Sequence, residues 1–302
     1  MTMENKANAL IPTIIILMII IAFAIVFLIF TMPNAKTETT QTSYFVSGQT
    51  QQKTLSDGLI LYLPFDEVQG QTTPDESGNL NNGIIGNQVV LTDDSAVGSG
   101  ALKFKGEFRE YGGGVTVPTS PSLELSNDMT ISVWIKSQNW EDIGNWAFNE
   151  VPDSPHVVDY FKISNLIDRR NHWSSMDWEL IYHEIPWNGQ SNLYVWFANS
   201  EREKYIYNAE EFKATQDTVF AQSTNKLAEN QWYHIVVVRE GDIWMLYLNG
   251  VRIATEKSET GVGSTEDIHI GNHFDGIVDD VRIYDRALNQ FEVQDLYSLG
   301  NK

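Results

Sequence analysis

The order of apolar and polar positions divides the chain in two. Residues 9–32 form one uncharged, almost wholly apolar run with no polar face. From residue 58 onward, short apolar runs alternate with clusters of Gly, Asn, Asp and Ser. The densest stretch runs from residue 231 to residue 299. Trp232-Tyr233-His234-Ile235-Val236-Val237-Val238-Arg239 is β-branched and aromatic throughout, the pattern of a strand buried on both faces. Gly241-Asp242 turns the chain. Ile243-Trp244-Met245-Leu246-Tyr247-Leu248 runs back, and Asn249-Gly250 supplies two residues that tolerate positive φ, a strong hairpin signal. Strands follow at 251–254, 268–270 and 277–284. Upstream, Met129, Ile131, Val133 and Ile135 alternate with Thr130, Ser132, Trp134 and Lys136, the period of a half-exposed strand. Further strands are predicted at 59–65 and 193–197, with an edge strand at 218–220. Residues 70–87 read as loop. Asn289 caps a short closing helix, with Glu292 in the capping-box position and Leu288 and Val293 as a hydrophobic staple. Successive strands with short turns and no intervening helices predict an antiparallel β-sandwich.

The same pattern sets the domain boundaries. Residues 1–8 are a short polar head. A helix over residues 9–32 would be about 36 Å long, enough to cross a bilayer core of ~30 Å. Pro12 falls in its first turn, where the missing N–H does no harm. Residues 33–56, rich in Thr, Ser and Gln, read as a flexible tether. Residues 57–299 form the sandwich, with a long irregular stretch at 138–191 taken as an insertion. A cleaved signal peptide would have a shorter apolar core. Lys6-Ala7 before a long apolar helix instead has some likeness to archaeal prepilin leaders, although Asn8 fits that motif poorly.

Several of these stretches carry a resemblance. Asn230-Gln231-Trp232-Tyr233-His234-Ile235, Leu246-Tyr247-Leu248-Asn249-Gly250, Ile270-Gly271-Asn272 and Gly276-Ile277-Val278-Asp279-Asp280-Val281-Arg282-Ile283-Tyr284-Asp285-Arg286-Ala287-Leu288 resemble successive motifs of laminin-G-like domains in the concanavalin A-like lectin/glucanase superfamily. Gly58-Leu59-Ile60-Leu61-Tyr62-Leu63-Pro64-Phe65-Asp66-Glu67 and Asp75-Glu76-Ser77-Gly78-Asn79 resemble its opening strand and first loop, and Ala101-Leu102-Lys103-Phe104 a later strand. The resemblance implies an all-β fold, a two-sheet antiparallel jelly-roll, to which the apolar run adds one N-terminal transmembrane helix. It also implies a surface-displayed binding module, with a glycan or another surface protein as ligand. On that basis the head is placed inside the cell and the sandwich outside, because Lys6 and Lys36 flank the apolar run symmetrically and barely decide orientation.

Charge and composition exclude some chemistry. The chain has 302 residues, with 40 acids against 20 Lys and Arg, for a net charge of −20. Nucleic-acid phosphates would be repelled. Without cysteine there are no disulfides or thiolate metal sites. Glucanases of the resembled superfamily carry Glu-x-Asp-x-(x)-Glu on one strand, and no strand here has that spacing. His-Glu-x-x-His and Gly-x-Ser-x-Gly are also missing. A binding protein, and not an enzyme, is expected. A filament subunit assembled through the apolar helix is the alternative, and a glycoside hydrolase is the weakest reading.

Two candidate sites follow. The stretch 138–191 carries Trp140, Trp146, Trp173, Trp178 and Trp187. Trp178 sits in the strand-like Asp177-Trp178-Glu179-Leu180-Ile181-Tyr182 and reads as core. Trp140, Trp146, Trp173 and Trp187 are the candidates for stacking on sugar rings. The second site is calcium, which the resemblance brings to mind at the sandwich rim. If the strands at 59–65 and 277–284 pair antiparallel, Asp66, Glu67, Asp279 and Asp280 gather at one end. Calcium takes 6–8 oxygens at roughly 2.3–2.6 Å. Asp279 and Asp280 face opposite sides by alternation, so only one of them would ligate by its side chain.

Overall fold

The structure, a computed structural model, describes residues 53–105, 113–125, 128–138, 145–146, 161–171, 175–185, 190–197, 218–223, 227–257, 266–272 and 274–300. The proposed membrane helix at 9–32 and the tether up to residue 52 lie outside them. Among the described residues no helix is long and apolar enough to cross a membrane. Residues 53–302 form one compact unit by themselves.

That unit is a sandwich of two antiparallel sheets, as the alternation predicts. The first contains β1 (Leu59–Leu63), β4 (Val89–Thr92), β5 (Ala101–Phe104), β7 (Met129–Ser137), β13 (Tyr233–Glu240), β14 (Ile243–Leu248), β15 (Val251–Lys257) and β17 (Gly276–Tyr284), in the order β15-β14-β13-β7-β17-β5-β4. The second contains β2 (Thr72–Thr73), β3 (Gly83–Ile85), β6 (Val115–Val117), β9 (Phe161–Asn171), β10 (Ser175–Ile185), β11 (Gln190–Phe197), β12 (Thr218–Ser223) and β16 (Ile268–Ile270), in the order β12-β11-β10-β9-β16-β6-β3-β2. The short β8 (Asn145–Trp146) pairs with the start of β9. Between the sheets lie Leu61, Leu63, Phe104, Val133, Ile135, Ile167, Trp178, Leu180, Ile235, Leu246 and Val278, all fully or almost fully buried.

β1 and β17 pair antiparallel, Leu59 opposite Tyr284 and Leu63 opposite Val281, as expected. β17 also pairs with β5, but only through Gly276, Ile277 and Val278. One edge of β17 is therefore shared, its first half by β5 and its second half by β1. Asp279 and Asp280 stand where the partner changes. A bulge against β7 falls at the same place, and Asp280 takes a left-handed φ of 46°. A bulge inserts one residue and re-aims its neighbours.

The other edge of β1 is finished by the loop at 75–81. Asp75 Oδ1 accepts from the Tyr62 amide at 2.8 Å, and the Glu76 amide donates to the Tyr62 carbonyl at 2.8 Å. Ser77 Oγ, Asn79 Nδ2 and Asn81 Nδ2 all donate to the Ile60 carbonyl. Polar side chains here complete the ladder that a neighbouring strand would otherwise supply.

Three expectations are corrected. First, residues 70–87 include β2 and β3 as well as loop. Second, β7 is not half-exposed. Its outward residues Thr130, Ser132 and Trp134 are buried as fully as its inward ones, because the closing helix α1 (Gln290–Leu299) lies on that face. Leu288, Val293 and Leu296 pack there on Val236, Val238, Met245, Tyr247 and Tyr284 as a second core. The expected cap is present: Asn289 Oδ1 accepts from the Phe291 and Glu292 amides, and Glu292 returns a bond to the Asn289 amide at 2.8 Å. Third, the stretch 138–191, read as irregular, carries regular strands where it is described. It contributes β8, β9 and β10 to the second sheet.

Candidate functional site: the outer face of the second sheet

The second sheet presents one continuous cross-strand row. Ile84 of β3 lies opposite Thr116 of β6, and Thr116 opposite His269 of β16. His269 lies opposite Asp168 of β9, Asp168 opposite Glu179 of β10, Glu179 opposite Trp196 of β11, and Trp196 opposite Thr218 of β12. Successive strand residues alternate between faces. Val115, Val117, Ile268, Ile270, Ile167, Trp178 and Leu180 pack in the core, so the row between them belongs to the outer face. A second outer row runs through Asn165, Ile181, Tyr194 and Phe220. Between the two, β9 carries a bulge that leaves Leu166 as an extra core residue.

The face has graded exposure. Ile84 is exposed, Thr116 and His269 are half-buried, and Asp168 and Asn165 are almost fully buried. Thr116 Oγ1 and His269 Nδ1 are 3.3 Å apart. The centre of the row is therefore buried, and the exposure lies toward Ile84. Arg169, next to Asp168, is on the other side. Its guanidinium donates to the carbonyls of Leu123 at 2.7 Å and Glu266 at 2.9 Å, tying two loops to the rim.

The face brings aromatic positions Tyr194, Trp196 and Phe220 together with Asn165, Asp168, Glu179 and His269. Aromatic and amide or carboxylate residues at adjoining positions can stack on the apolar face of a sugar while bonding its hydroxyls. The signal in the sequence was the alternation Leu193-Tyr194-Val195-Trp196-Phe197, which sets Tyr194 and Trp196 at positions of one face of the strand. Of the tryptophans expected to stack, Trp146 lies on β8 opposite Phe161. Trp140, Trp173 and Trp187 lie outside the described residues. Trp178 is fully buried in the core, as its strand-like context predicts.

The rim carboxylates have other employment. Asp66 Oδ1 accepts from the amides of Ser99 and Gly100, the latter at 2.8 Å, and from Ser99 Oγ at 3.1 Å. Asp279 Oδ2 accepts from the amides of Ala96 and Val97 at 2.8 and 2.9 Å. Lys136 Nζ lies 2.7 Å from Asp94 Oδ2. All three hold the loop at 93–100. Asp280 forms a two-pronged pair with Arg282, and the exposed Glu67 accepts from Gln69 at 3.1 Å. Asp66 and Asp279 thus serve one loop, but through separate amides. Among the described residues no three Asp, Glu or His side chains gather to hold a metal. Burial raises the Asp279 carboxyl to about 7, against the pull of the Val97 and Ala96 amides.

The family model described as the concanavalin A-like lectin/glucanases superfamily matches residues 109–294. The chain belongs to the concanavalin A-like lectin/glucanase superfamily. No curated protein matches the sequence. Solved structures resemble this superfamily member at low identity. The binding domain of Paraclostridial Mosquitocidal Protein 1 is 19% identical, with a TM-score of 0.52 over 81% of this chain and 52% of that one. Domain 4 of AbnA, a GH43 extracellular arabinanase from Geobacillus stearothermophilus, was solved in complex with arabinotriose. It is 19% identical, with a TM-score of 0.52 over 79% of this chain and 98% of that domain. The botulinum neurotoxin serotype D ligand binding domain was solved in complex with N-acetylneuraminic acid. It is 17% identical, with a TM-score of 0.55 over 80% of this chain and 51% of that one. The chain spans about half the length of the two toxin domains. These likenesses are of fold.

Proposed function

We propose that the protein is a membrane-anchored surface binding module that recognises glycans through the outer face of its second sheet. The observation that carries this reading is the shared face of Tyr194, Trp196 and Phe220 with Asn165, Asp168 and Glu179. A stacking platform beside bonding groups is what a sugar ring needs. Superfamily membership supports it, as do two folds of this kind solved with arabinotriose and N-acetylneuraminic acid. A binder rather than a catalyst is supported by the neighbours described as binding domains, and by the lack of the Glu-x-Asp-x-Glu spacing in the sequence. The apolar run at 9–32 supports the anchor, and the tether after it supports display at the cell surface.

The test is binding of the fragment 53–302 to a glycan array, repeated with Trp196→Ala. Binding that survives the substitution unchanged would move the site elsewhere on the domain. Anchoring is tested separately, since deleting residues 1–32 should convert a detergent-requiring protein into a soluble one.

A further inference from the structure

His234 lies where the closing helix meets the first sheet. Its ring is stacked on Trp134 of β7, with centroids 4.8 Å apart. Tyr297 of α1 closes over both, 5.6 Å from Trp134 and 6.1 Å from His234. The fit is close. A Cβ at Gly250 would stand 3.2 Å from Tyr297, and one at Gly300 would run into the Trp134 ring. His234 is 1% exposed. Its Nε2 is 2.8 Å from Ser132 Oγ, and its Nδ1 has no partner. A buried nitrogen with no partner suits a neutral ring and gives a second proton nothing to bond.

The groups packed around the ring do not offset such a charge. β7 brings Ser132 and Trp134, and α1 brings Tyr297. Asn249, at the end of β14, accepts from the His234 amide at 2.9 Å. β17 brings Arg282 opposite Ser132, already paired with Asp280, and Asp279 opposite Trp134. Burial and then the Arg282 charge lower the imidazole to about 3. α1 belongs to no strand ladder. It is held by the packing of Val293 and Leu296, by the Tyr297 stack, and at its first turn by the Glu292–Arg286 pair. It can lift as a unit while both sheets stay paired, the kind of opening that costs less than global unfolding.

We propose that α1 is an acid-operated cover: when His234 takes up a proton, Tyr297 and the helix lift from the first sheet and bare its apolar outer face. The surface uncovered is Val236, Val238, Met245, Tyr247 and Tyr284. With the helix lifted, the ring meets water and regains its ordinary value of about 6.5. The lifted state then binds a proton that the covered state refuses, so acid favours lifting below about 6.5. Glu292 acts lower on the scale. Burial pushes its carboxyl up, but the bonds from Arg286 and the Asn289 amide prevail and hold it below 4.5. Its hold on the helix is therefore intact above pH 4.5 and is lost only as pH falls further.

The experiment is hydrogen exchange of the full-length protein between pH 7.5 and 4.5, read by mass spectrometry and corrected for the intrinsic pH dependence of amide exchange. The opening constant of residues 290–299 should rise about tenfold by pH 5.5 and about a hundredfold by pH 4.5. That of β17, residues 276–284, should not follow it. His234→Gln should leave the helix opening flat over the same range, whatever its level at pH 7.5. His234→Phe, which keeps a ring in the stack, replaces it should the first variant fail to fold. Asp279 titrates alike in wild type and variant, so the comparison isolates His234. A helix whose opening is constant with pH in the wild type overturns the proposal. So does a rise shared equally by α1 and β17, which would be global unfolding, or a rise as steep in the variant as in the wild type.

Discussion

Asp280 and Arg282 meet side by side on β17, Oδ1 to Nε at 2.7 Å and Oδ2 to Nη2 at 2.9 Å, and both are nearly buried. The long Arg282 side chain spans the gap of about 6.6–6.8 Å between residues two apart on a strand. Tyr62 closes the pair, its hydroxyl donating to Asp280 Oδ2 at 3.2 Å and its ring lying 4.0 Å from the guanidinium carbon. Burial, followed by the charge of Asp280, raises the Tyr62 phenol above its ordinary range. Removing one partner leaves a buried charge uncompensated. Asp280→Asn should lower stability by about 3–5 kcal/mol. Asn tolerates the left-handed backbone, so the loss reports on charge and not on strain. A double variant with Arg282→Met should recover part of it, as read from denaturant midpoints.

Asp66 should behave as a loop fastener. Asp66→Ala removes three hydrogen bonds to Ser99 and Gly100 and should cost about 1–3 kcal/mol. The melting temperature of wild type and variant should differ by the same amount in excess calcium and in excess chelator. A calcium-dependent rise in the wild type that Asp66→Asn abolishes would instead show an ion bound at the rim.

Two buried groups pull stability in opposite directions with pH. His234 is stacked on Trp134 at 4.8 Å, bonded to Ser132 Oγ at 2.8 Å and lowered by burial to about 3. Below about 6.5 the unfolded chain binds a proton that the folded chain refuses, so stability from His234 is lost as pH falls from 6.5 toward 3. Asp279, raised to about 7, does the reverse. Between about 4 and 7 the folded chain holds a proton that the unfolded chain has released, so this contribution falls as pH rises. Over pH 4–6.5 the two slopes oppose each other, each at most about 1.4 kcal/mol per pH unit. His234→Gln should therefore give a stability curve that falls more with pH than wild type. Asp279→Asn should give one that rises more. Parallel curves for all three proteins would mean that neither group titrates as described.

Tryptophans in different settings should fail differently. Trp178→Ala opens a cavity in the core and should cost about 3–5 kcal/mol of stability. Trp196→Ala should weaken glycan binding by on the order of 2 kcal/mol, about thirtyfold. Trp140→Ala, Trp146→Ala, Trp173→Ala and Trp187→Ala, measured alongside, would show whether the tryptophans chosen from sequence add to the same surface.

What was legible in the sequence was what local chemistry dictates. Asn249 and Gly250 both adopt positive φ, 50° and 75°, in the expected hairpin. The capping box at Asn289 and Glu292 formed, and β1 found β17. β9 was missed, and β10 was read only as a strand-like stretch at 177–182, because bulges at Leu166 and Asp177 break the two-residue period on which a strand is recognised. Arg169 added to the confusion, since a buried cation satisfied by distant carbonyls reads as a surface residue. The covering of Trp134 was illegible for another reason. It depends on a helix more than 150 residues downstream folding back onto the sheet. The acids at 279 and 280 were expected beside Asp66 and Glu67 at the end of the β1–β17 pair. What they bond to depended on where loop 93–100 lands, which no local pattern encodes.

The seam between β1 and β17 has a mechanical meaning. Leu59 faces Tyr284, and Arg286 of the closing segment donates to the carbonyls of Asp57 at 2.6 Å and Thr54 at 3.0 Å while pairing with Glu292. The folded unit therefore begins and ends at one corner. A pull applied between its two ends meets Arg286 first and then opens the seam one rung at a time, like a zipper. A pull between the start of β1 and the far sheet loads the rungs of β1 together. The seam is weak against the first kind of force and strong against the second.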